Sequence, residues 1–195
     1  GITNLSSGKM GFAIARAAHE AGAEVTVIAG PVQLPTPRGV TRLDVRSAQD
    51  MHGAVLSQVK EASVFVATAA VADWRVAHVA DQKIKKTAKG DTPELQFTEN
   101  PDILGEVAKS ARAQSGALFC VGFAAESHDL QKHAHAKREK KGVPLLVGNI
   151  GPATFGSDEN ALLLVDAQGT QEVPQANKLA LARKLVAEIA QRMAH

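Results

Sequence analysis

Short apolar runs alternate with helical patterns along this chain, and this alternation restricts the possible folds more than any other feature. Four runs of strand length lie at Val25–Ala29, Val64–Ala67, Leu118–Val121 and Leu145–Val147. Continuous apolar runs are typical of strands that are covered on both faces. We therefore predict an α/β fold with a doubly wound, mainly parallel sheet in a Rossmann-like three-layer arrangement.

Apolar residues at helical spacing predict four helices around these strands. The first is predicted to be followed by a C-cap glycine, Gly22. The apolar positions that mark the four helices are Met10, Ile14, Ala17 and Ala21; Met51, Val55 and Val59; Ile103, Val107 and Ala111; and Leu179, Ala182, Leu185, Val186, Ile189 and Met193. Strands and helices thus succeed one another as a parallel sheet requires.

Two segments depart from this rhythm. Val76–Thr98 contains lysines and an alternating stretch, which predict an antiparallel hairpin or flap outside the main sheet. Leu162–Val165 and Gln171–Val173, with Gly169 between them, predict a late hairpin. A doubly wound domain normally has a strand before its first glycine-containing loop. We therefore expect residues 1–195 to be a single domain without that first strand.

The composition excludes several classes of protein. A single cysteine, Cys120, excludes an internal disulfide framework. The chain has no apolar run near the roughly 20 residues that cross a membrane, and its start lacks a signal-peptide pattern. The net charge of +2 gives no reason to expect nucleic acid as a partner. These features predict a cytoplasmic protein. His133 and His135 diverge on a predicted helix, so they do not suggest a metal site.

The loop before the first helix is a candidate anion site. Small residues including Ser6, Ser7 and Gly8 precede the helix, whose N-terminal end favours phosphate or carboxylate. The loop is not a Walker A motif, because Met10 stands where Ser or Thr would follow the lysine. An ordinary N-capped helix is the alternative.

A second candidate follows the strand Val64–Ala67. Ligands bind open α/β sheets at the carboxyl ends of strands, and Ala67, Thr68 and Ala69 leave room there for a ring or a phosphate. Asp73 offers a carboxylate to a metal, an amine or a ribose. The alternative is that Asp73 only caps the next turn.

A lysine-rich segment, DQKIKK, makes up the third candidate. In an extended segment Lys83 and Lys85 share one face, and Lys86 takes the other. A flap with these lysines could close over a phosphate and neutralise developing charge. A charged edge strand is the alternative.

Three later segments carry further candidates. Asn100 or Asp102 would cap the helix that follows. Phe123 comes after a predicted strand and could either stack on a base or belong to the core. Lys137 and Lys141 are four residues apart and share one helix face, where they would be solvated or bind an anion.

Taken in order, these segments resemble the phosphopantothenate–cysteine ligase family. In most bacteria this ligase is the C-terminal half of a bifunctional coenzyme A biosynthesis protein whose other half is a flavin-dependent decarboxylase. The resemblance covers nearly the whole chain. The segments that carry it are NLSSGKMGFAIA, AGAEVTVIAGPVQLPTP, ATAAVADWR, KIKK, NPDIL, VGFAAE and the spaced pair Lys137 and Lys141.

The resemblance implies a two-step ligation. The carboxylate of 4′-phosphopantothenate attacks the α-phosphate of CTP, which gives an acyl-cytidylate and pyrophosphate. The amine of cysteine then attacks the acyl carbon and releases CMP, with assistance from Mg²⁺. The KIKK and VGFAAE segments resemble the bacterial, CTP-dependent branch rather than the eukaryotic, usually ATP-dependent one. A homodimer is also implied.

The resemblance further implies roles for individual residues. Asn4 corresponds to an asparagine that contacts the acyl group of the intermediate, and Lys83 to the flap lysine that its further reaction needs. No metal ligand is identified. The residues implied to bind the nucleotide are Ser6, Ser7, Gly8, Ala67, Thr68, Ala69, Asp73, Lys83, Pro101, Asp102, Ile103, Leu104, Phe123, Lys137 and Lys141.

Two other functions remain compatible with an α/β sequence of this kind. One is an NAD(P)-binding oxidoreductase. Against it, the first loop lacks the dinucleotide spacing, and Gly30 and Pro31 stand where an acidic residue would follow the strand. The other is a nucleotide-binding module without catalytic activity.

Overall fold

A computed structural model of the protein describes residues 7–69, 71–78, 96–124, 130–150 and 159–194. Helices and strands alternate through most of this part of the chain. The helices are α1 (Lys9–Glu20), α2 (Ala48–Gln58), α3 (Ile103–Ala108), α4 (Ala111–Gln114), α5 (Leu130–Lys141) and α6 (Lys178–Met193). The strands are β1 (Thr26–Ala29), β2 (Thr41–Asp44), β3 (Val64–Ala67), β4 (Trp74–Val76), β5 (Phe97–Glu99), β6 (Phe119–Ala124), β7 (Leu145–Asn149), β8 (Glu159–Asp166) and β9 (Gly169–Asn177).

The main sheet has the strand order β3-β6-β7-β8-β9. Its first three strands are parallel, while β8 and β9 form an antiparallel hairpin beside β7. A second parallel pair, β1 and β2, precedes them in the chain. The predicted α/β fold with a mainly parallel sheet and a late hairpin is therefore confirmed.

Helices cover both faces of the sheet. On one face, α1 and α6 bury a cluster that includes Ile14, Val121 and Leu185. On the other, α2, α3 and α5 bury a second cluster around Val107 and Leu146. The strands of the middle layer are apolar because their side chains enter one cluster or the other, as doubly covered strands require.

Helix α1 is fixed at its C-terminal end. Gly22 adopts a left-handed φ of 94° and its N–H donates to the carbonyl of His19, while Ala23 donates to Ala18, which together make a Schellman motif. The C-cap glycine was thus predicted correctly. Arg183 of α6 also donates to both carboxylate oxygens of Glu20. These hydrogen bonds are the main cause that lowers the pKa of Glu20 to about 2.

The predicted third helix is wrong in its length. The structure divides it into α3 and α4, because Ser110 accepts a hydrogen bond from Ala113 N–H and begins a new helix. The Ser110 hydroxyl also donates to the carbonyl of Val107 at 2.6 Å. A serine that bonds to the backbone in this way competes with a continuous helix.

The predicted excursion is confirmed in part. Strands β4 and β5 form an antiparallel ribbon outside the main sheet, with Val76 opposite Phe97. The rest of the predicted excursion, residues 79–95, lies outside the described residues. Within the described part of the chain, no helix combines the length and apolar character that would cross a bilayer.

Candidate functional site

Two strands of the main sheet end side by side at its carboxyl edge. Ala67, the last residue of β3, pairs with Gly122 of β6. Thr68 and Ala69 therefore leave the sheet close to Phe123. This edge is where open α/β sheets bind their ligands, and the position was predicted from sequence for Ala67, Thr68 and Ala69.

The first turn of α1 packs against the loop that follows β3. A Cβ atom placed on Gly11 would lie 2.7 Å from Thr68 Oγ1, so only glycine fits there without a shift. Gly8 is the N-cap with a left-handed φ of 71° and no side-chain cap, and Ser7 Oγ accepts from Lys9 N–H at 3.3 Å. The structure thus brings Ser7, Gly8 and Thr68 together at a positive helix end.

The first turn of α3 reaches the same edge. A Cβ atom on Gly122 would lie 2.7 Å from Leu104 Cδ2, so the turn lies directly on β6. Asp102 is the N-cap of α3 and accepts from Gly105 N–H at 3.1 Å. The predicted segment Pro101–Leu104 is therefore beside the end of β6, with Ile103 buried in the core.

Asn100 does not cap a helix. Its side-chain amide donates to the carbonyl of Ala72 at 2.6 Å, and its backbone N–H donates to the carbonyl of Asp73 at 2.7 Å. Of the two caps considered from the sequence, Asp102 is therefore the one that the structure uses. Asp73 is exposed at the start of β4 rather than at the start of a helix.

Phe123 is half-buried and packs against the core cluster shared with α1. Met10 of α1 packs against the same cluster. Phe123 therefore has a structural role on this face of the sheet, while its position directly after Gly122 places it at the carboxyl edge.

The two lysines of α5 are placed differently. This helix, which is kinked at His133, begins after the carboxyl end of β6 and ends before the start of β7, so Lys141 lies at the opposite end of it from Leu130. Lys141 is exposed and Lys137 is half-buried. The structure does not bring Lys141 to the edge that gathers the other described candidates. Asn4, Ser6 and Lys83 lie outside the described residues.

Arg42 is a residue that sequence reasoning missed. Its guanidinium donates to the carbonyls of Leu34 at 2.5 Å and Val32 at 3.1 Å, and lies 5.0 Å from the centre of the Phe12 ring. The side chains of Val32 and Leu34 in turn contact the space beside Gly8. Arg42 therefore holds the loop after β1 against the start of α1. No local motif in the sequence signals these contacts.

The described residues limit the chemistry that this edge supports. They contain no group of three or more His, Cys, Asp or Glu that could hold a metal ion. Cys120 is buried, and burial raises the pKa of its thiol to about 11. A thiol held protonated in the core is a poor nucleophile. Among the described residues, the groups at the edge include backbone amides, small side chains and the carboxylates of Asp73 and Asp102.

Comparisons with known proteins agree with this architecture. The family model of the DNA/pantothenate metabolism flavoprotein C-terminal domain matches residues 1–193. A relative from Vibrio cholerae, the coenzyme A biosynthesis bifunctional protein CoaBC, is 44% identical over 98% of this chain and 48% of its own length. The chain thus spans about half the length of the curated relatives it matches.

Solved structures show the same fold. The crystal structure of the C-terminal domain of a CoaBC protein has a TM-score of 0.79 and 32% identity, covering 99% of this chain and 88% of that one. A Cab2 mutant in complex with phosphopantothenate-cysteine has a TM-score of 0.78, with 16% identity over 99% of this chain and 79% of its own. The chain therefore belongs to the DNA/pantothenate metabolism flavoprotein C-terminal domain family.

Proposed function

We propose that this chain catalyses the joining of 4′-phosphopantothenate and cysteine in coenzyme A biosynthesis, with CTP as the activating nucleotide. The observation that carries the proposal is the gathering of Gly8, Thr68, Asp73 and Pro101–Leu104 at one edge of the sheet. Family membership supports it, as does the role in coenzyme A biosynthesis that the names of the relatives state. The chain would be one half of a bifunctional protein with a flavin-dependent decarboxylase as the other half.

The chemistry requires two steps because a carboxylate is a poor electrophile. In the first, a carboxylate oxygen of phosphopantothenate attacks the α-phosphorus of CTP, and the bond to the β-phosphate oxygen breaks to release pyrophosphate. In the second, the cysteine nitrogen attacks the acyl carbon and loses a proton as the C–O bond to CMP breaks. The mixed anhydride supplies the good leaving group that a free acid lacks.

The edge offers groups suited to these steps. The N-terminal end of α1 would hold a phosphate, together with Ser6, Ser7 and Gly8. Asn4 would contact the acyl group, and Lys83 would neutralise charge in the second step. The remaining nucleotide contacts in the proposal are Ala67, Thr68, Ala69, Asp73, Pro101, Asp102, Ile103, Leu104, Phe123 and Lys137.

A magnesium ion fits this donor set only together with the substrate. Mg²⁺ is commonly bound through one or two carboxylates and the phosphates of a nucleotide. Asp73 is an exposed carboxylate at the edge and would supply such a ligand. When bound there, the ion would neutralise charge on the triphosphate.

A pyrophosphate-release assay tests the proposed function. We expect the protein to release pyrophosphate when it is given 4′-phosphopantothenate, Mg²⁺ and CTP, and to release much less with ATP. CMP and the amide product should accumulate only after cysteine is added.

Two other results would identify the competing functions. Calorimetry that shows CTP binding without pyrophosphate release would indicate a nucleotide-binding module without activity. Tight binding of NADH in the absence of CTP binding would indicate an oxidoreductase.

A homodimer is part of the same proposal. Trp74 and Val76 are two residues apart on β4, and Val76 lies opposite Phe97, so the three side chains share one face of the ribbon. Trp74 is 51% and Phe97 47% exposed.

A two-stranded ribbon is only marginally stable alone in water. A second copy that meets the same face about a two-fold axis would bury both aromatics. The late hairpin is less suited, since β9 presents mainly polar exposed residues.

Sedimentation measures this assembly directly. We expect a dimer at micromolar concentration, and a monomer after Trp74→Ser and Phe97→Ser are combined. Met193→Ser is the matched control, because Met193 is 43% exposed at the end of α6, away from the ribbon. A monomeric wild-type protein, or equal dissociation of both variants, would contradict this interface.

A further inference from the structure

We infer that Asn100 is a positioning residue for the nucleotide, because it fixes the Ala72–Asp73 turn against the segment Pro101–Leu104. The inference rests on the proposed function and assigns that site a residue with no direct contact in the proposal. Asn100 stands between two candidate nucleotide elements that are about 28 residues apart in the chain, so its hydrogen bonds set their relative position.

Three hydrogen bonds converge on this junction. The Asn100 amide donates to the carbonyl of Ala72 at 2.6 Å, and the Asn100 backbone N–H donates to Asp73 at 2.7 Å. Arg75 donates to Asn100 Oδ1 at 3.3 Å, which orients the amide so that its NH₂ group faces Ala72. Arg75 also donates to the carbonyl of Glu99 at 2.6 Å.

The amide is therefore used at both of its ends by the protein itself. One N–H of the amide is bonded to Ala72 and one lone pair of its oxygen to Arg75, and both contacts are part-buried. These bonds hold the amide to the protein, so it positions the two segments that it joins. A small displacement of a binding element has a large effect on a reaction that needs aligned groups.

Replacing Asn100 with aspartate tests the inference with little change in shape. Asn100→Asp puts a carboxylate oxygen against the Ala72 carbonyl, so the turn that carries Asp73 moves away. Gln114→Glu is the matched control, because the Gln114 amide likewise donates to a backbone carbonyl, that of Ala108, at 2.8 Å. Gln114 belongs to α4 and is outside the candidate site.

We expect both variants to lower Tm by a similar amount, roughly 2–8 °C. Only Asn100→Asp should raise the KM for CTP, by about 10- to 100-fold. The KM for 4′-phosphopantothenate should stay within about twofold of wild type in both variants. Trp74 is the only tryptophan of the chain and adjoins Asp73, so its emission should shift to longer wavelength in Asn100→Asp alone.

Arg75→Lys provides a second variant in case Asn100→Asp does not fold. Both hydrogen bonds of Arg75 come from Nη1, and lysine keeps the charge but its side chain ends one bond short of that atom. A smaller rise in the KM for CTP is expected.

Several outcomes would overturn the inference. These are an unchanged KM for CTP in both Asn100→Asp and Arg75→Lys, an equal rise in Gln114→Glu, or an equal rise in the KM for both substrates. Failure of the wild-type protein to bind CTP or ATP would remove the proposed function and this inference with it. That result differs from the others because it appears before any substitution is made.

Discussion

Gly148→Ala is expected to lower the free energy of unfolding by about 2–3 kcal/mol, the cost of an overpacked core. A Cβ atom on Gly148 would overlap Leu130 Cδ2 and lie 3.1 Å from Leu130 Cγ. Leu130 is 0% exposed at the start of α5 and belongs to the second core cluster, so a new rotamer would bring it against other buried side chains. Thermal unfolding followed by circular dichroism should show Tm lower by roughly 4–12 °C.

The matched substitution Gly53→Ala should raise the free energy of unfolding instead of lowering it. Gly53 lies inside α2, and a Cβ atom there would meet nothing within 4 Å. Gly53→Ala should therefore stabilise the protein by about 0.5–1 kcal/mol, because alanine loses less backbone entropy in a helix.

A double-mutant cycle tests whether contact with Leu130 causes the loss of stability in Gly148→Ala. In a Leu130→Ala background the clash is removed, so adding Gly148→Ala should cost much less than it does in the wild type. Losses that simply add would show that Leu130 is not the cause. A stabilising Gly148→Ala would contradict the packing described for β7.

The sequence identified the buried strands well because burial and composition are linked. Val64–Ala67 was predicted with the same bounds as β3, since both of its faces meet helices. Strand β2 was not predicted. Its residues, Thr41–Asp44, are polar at both ends and only half-buried in the middle, so they carry no continuous apolar pattern. The break in the helix at Ser110 was not predicted either, because the apolar residues keep their helical spacing across it.

The candidate site was predictable where it depends on strand ends and not where it depends on distant contacts. Thr68 and Asp73 follow a strand, and their place at the carboxyl edge follows from the topology. Arg42 and Asn100 act through backbone carbonyls of other segments. Any residue has a carbonyl, so composition gives no sign of which one a side chain will reach. The sequence therefore pointed to Asn100 only as a possible helix cap and did not point to Arg42 at all.

Lys83→Gln is expected to have the largest effect on activity. It should slow cysteine-dependent product formation by about 10²- to 10³-fold, as removal of a charge-stabilising group does. Val76 pairs with Phe97, and Asn100 donates to the carbonyl of Asp73. The ribbon of β4 and β5 therefore begins beside the candidate site. Lys83 follows Val76 by seven residues, which span at most about 25 Å, so the chain allows its ammonium to reach the bound intermediate.

The two half-reactions separate this role from simple binding. CTP affinity, measured by calorimetry, should change less than tenfold in Lys83→Gln, and pyrophosphate release before cysteine is added should be slowed less than amide formation. The loss falls on the second step because charge moves there from the acyl group to the departing CMP, which a nearby ammonium stabilises.

Lys86→Gln is the control within the same segment, because the extended segment that the sequence predicts would place Lys86 on the opposite face from Lys83. It removes the same charge from the chain, so a general electrostatic effect on the anionic substrates would appear equally in both variants. Equal losses of binding and of amide formation in Lys83→Gln would mean that the lysine holds the nucleotide. Equal losses in the two variants would mean that only the net charge of the segment matters. The proposed role survives only if Lys83→Gln alone slows the transfer of the acyl group to cysteine.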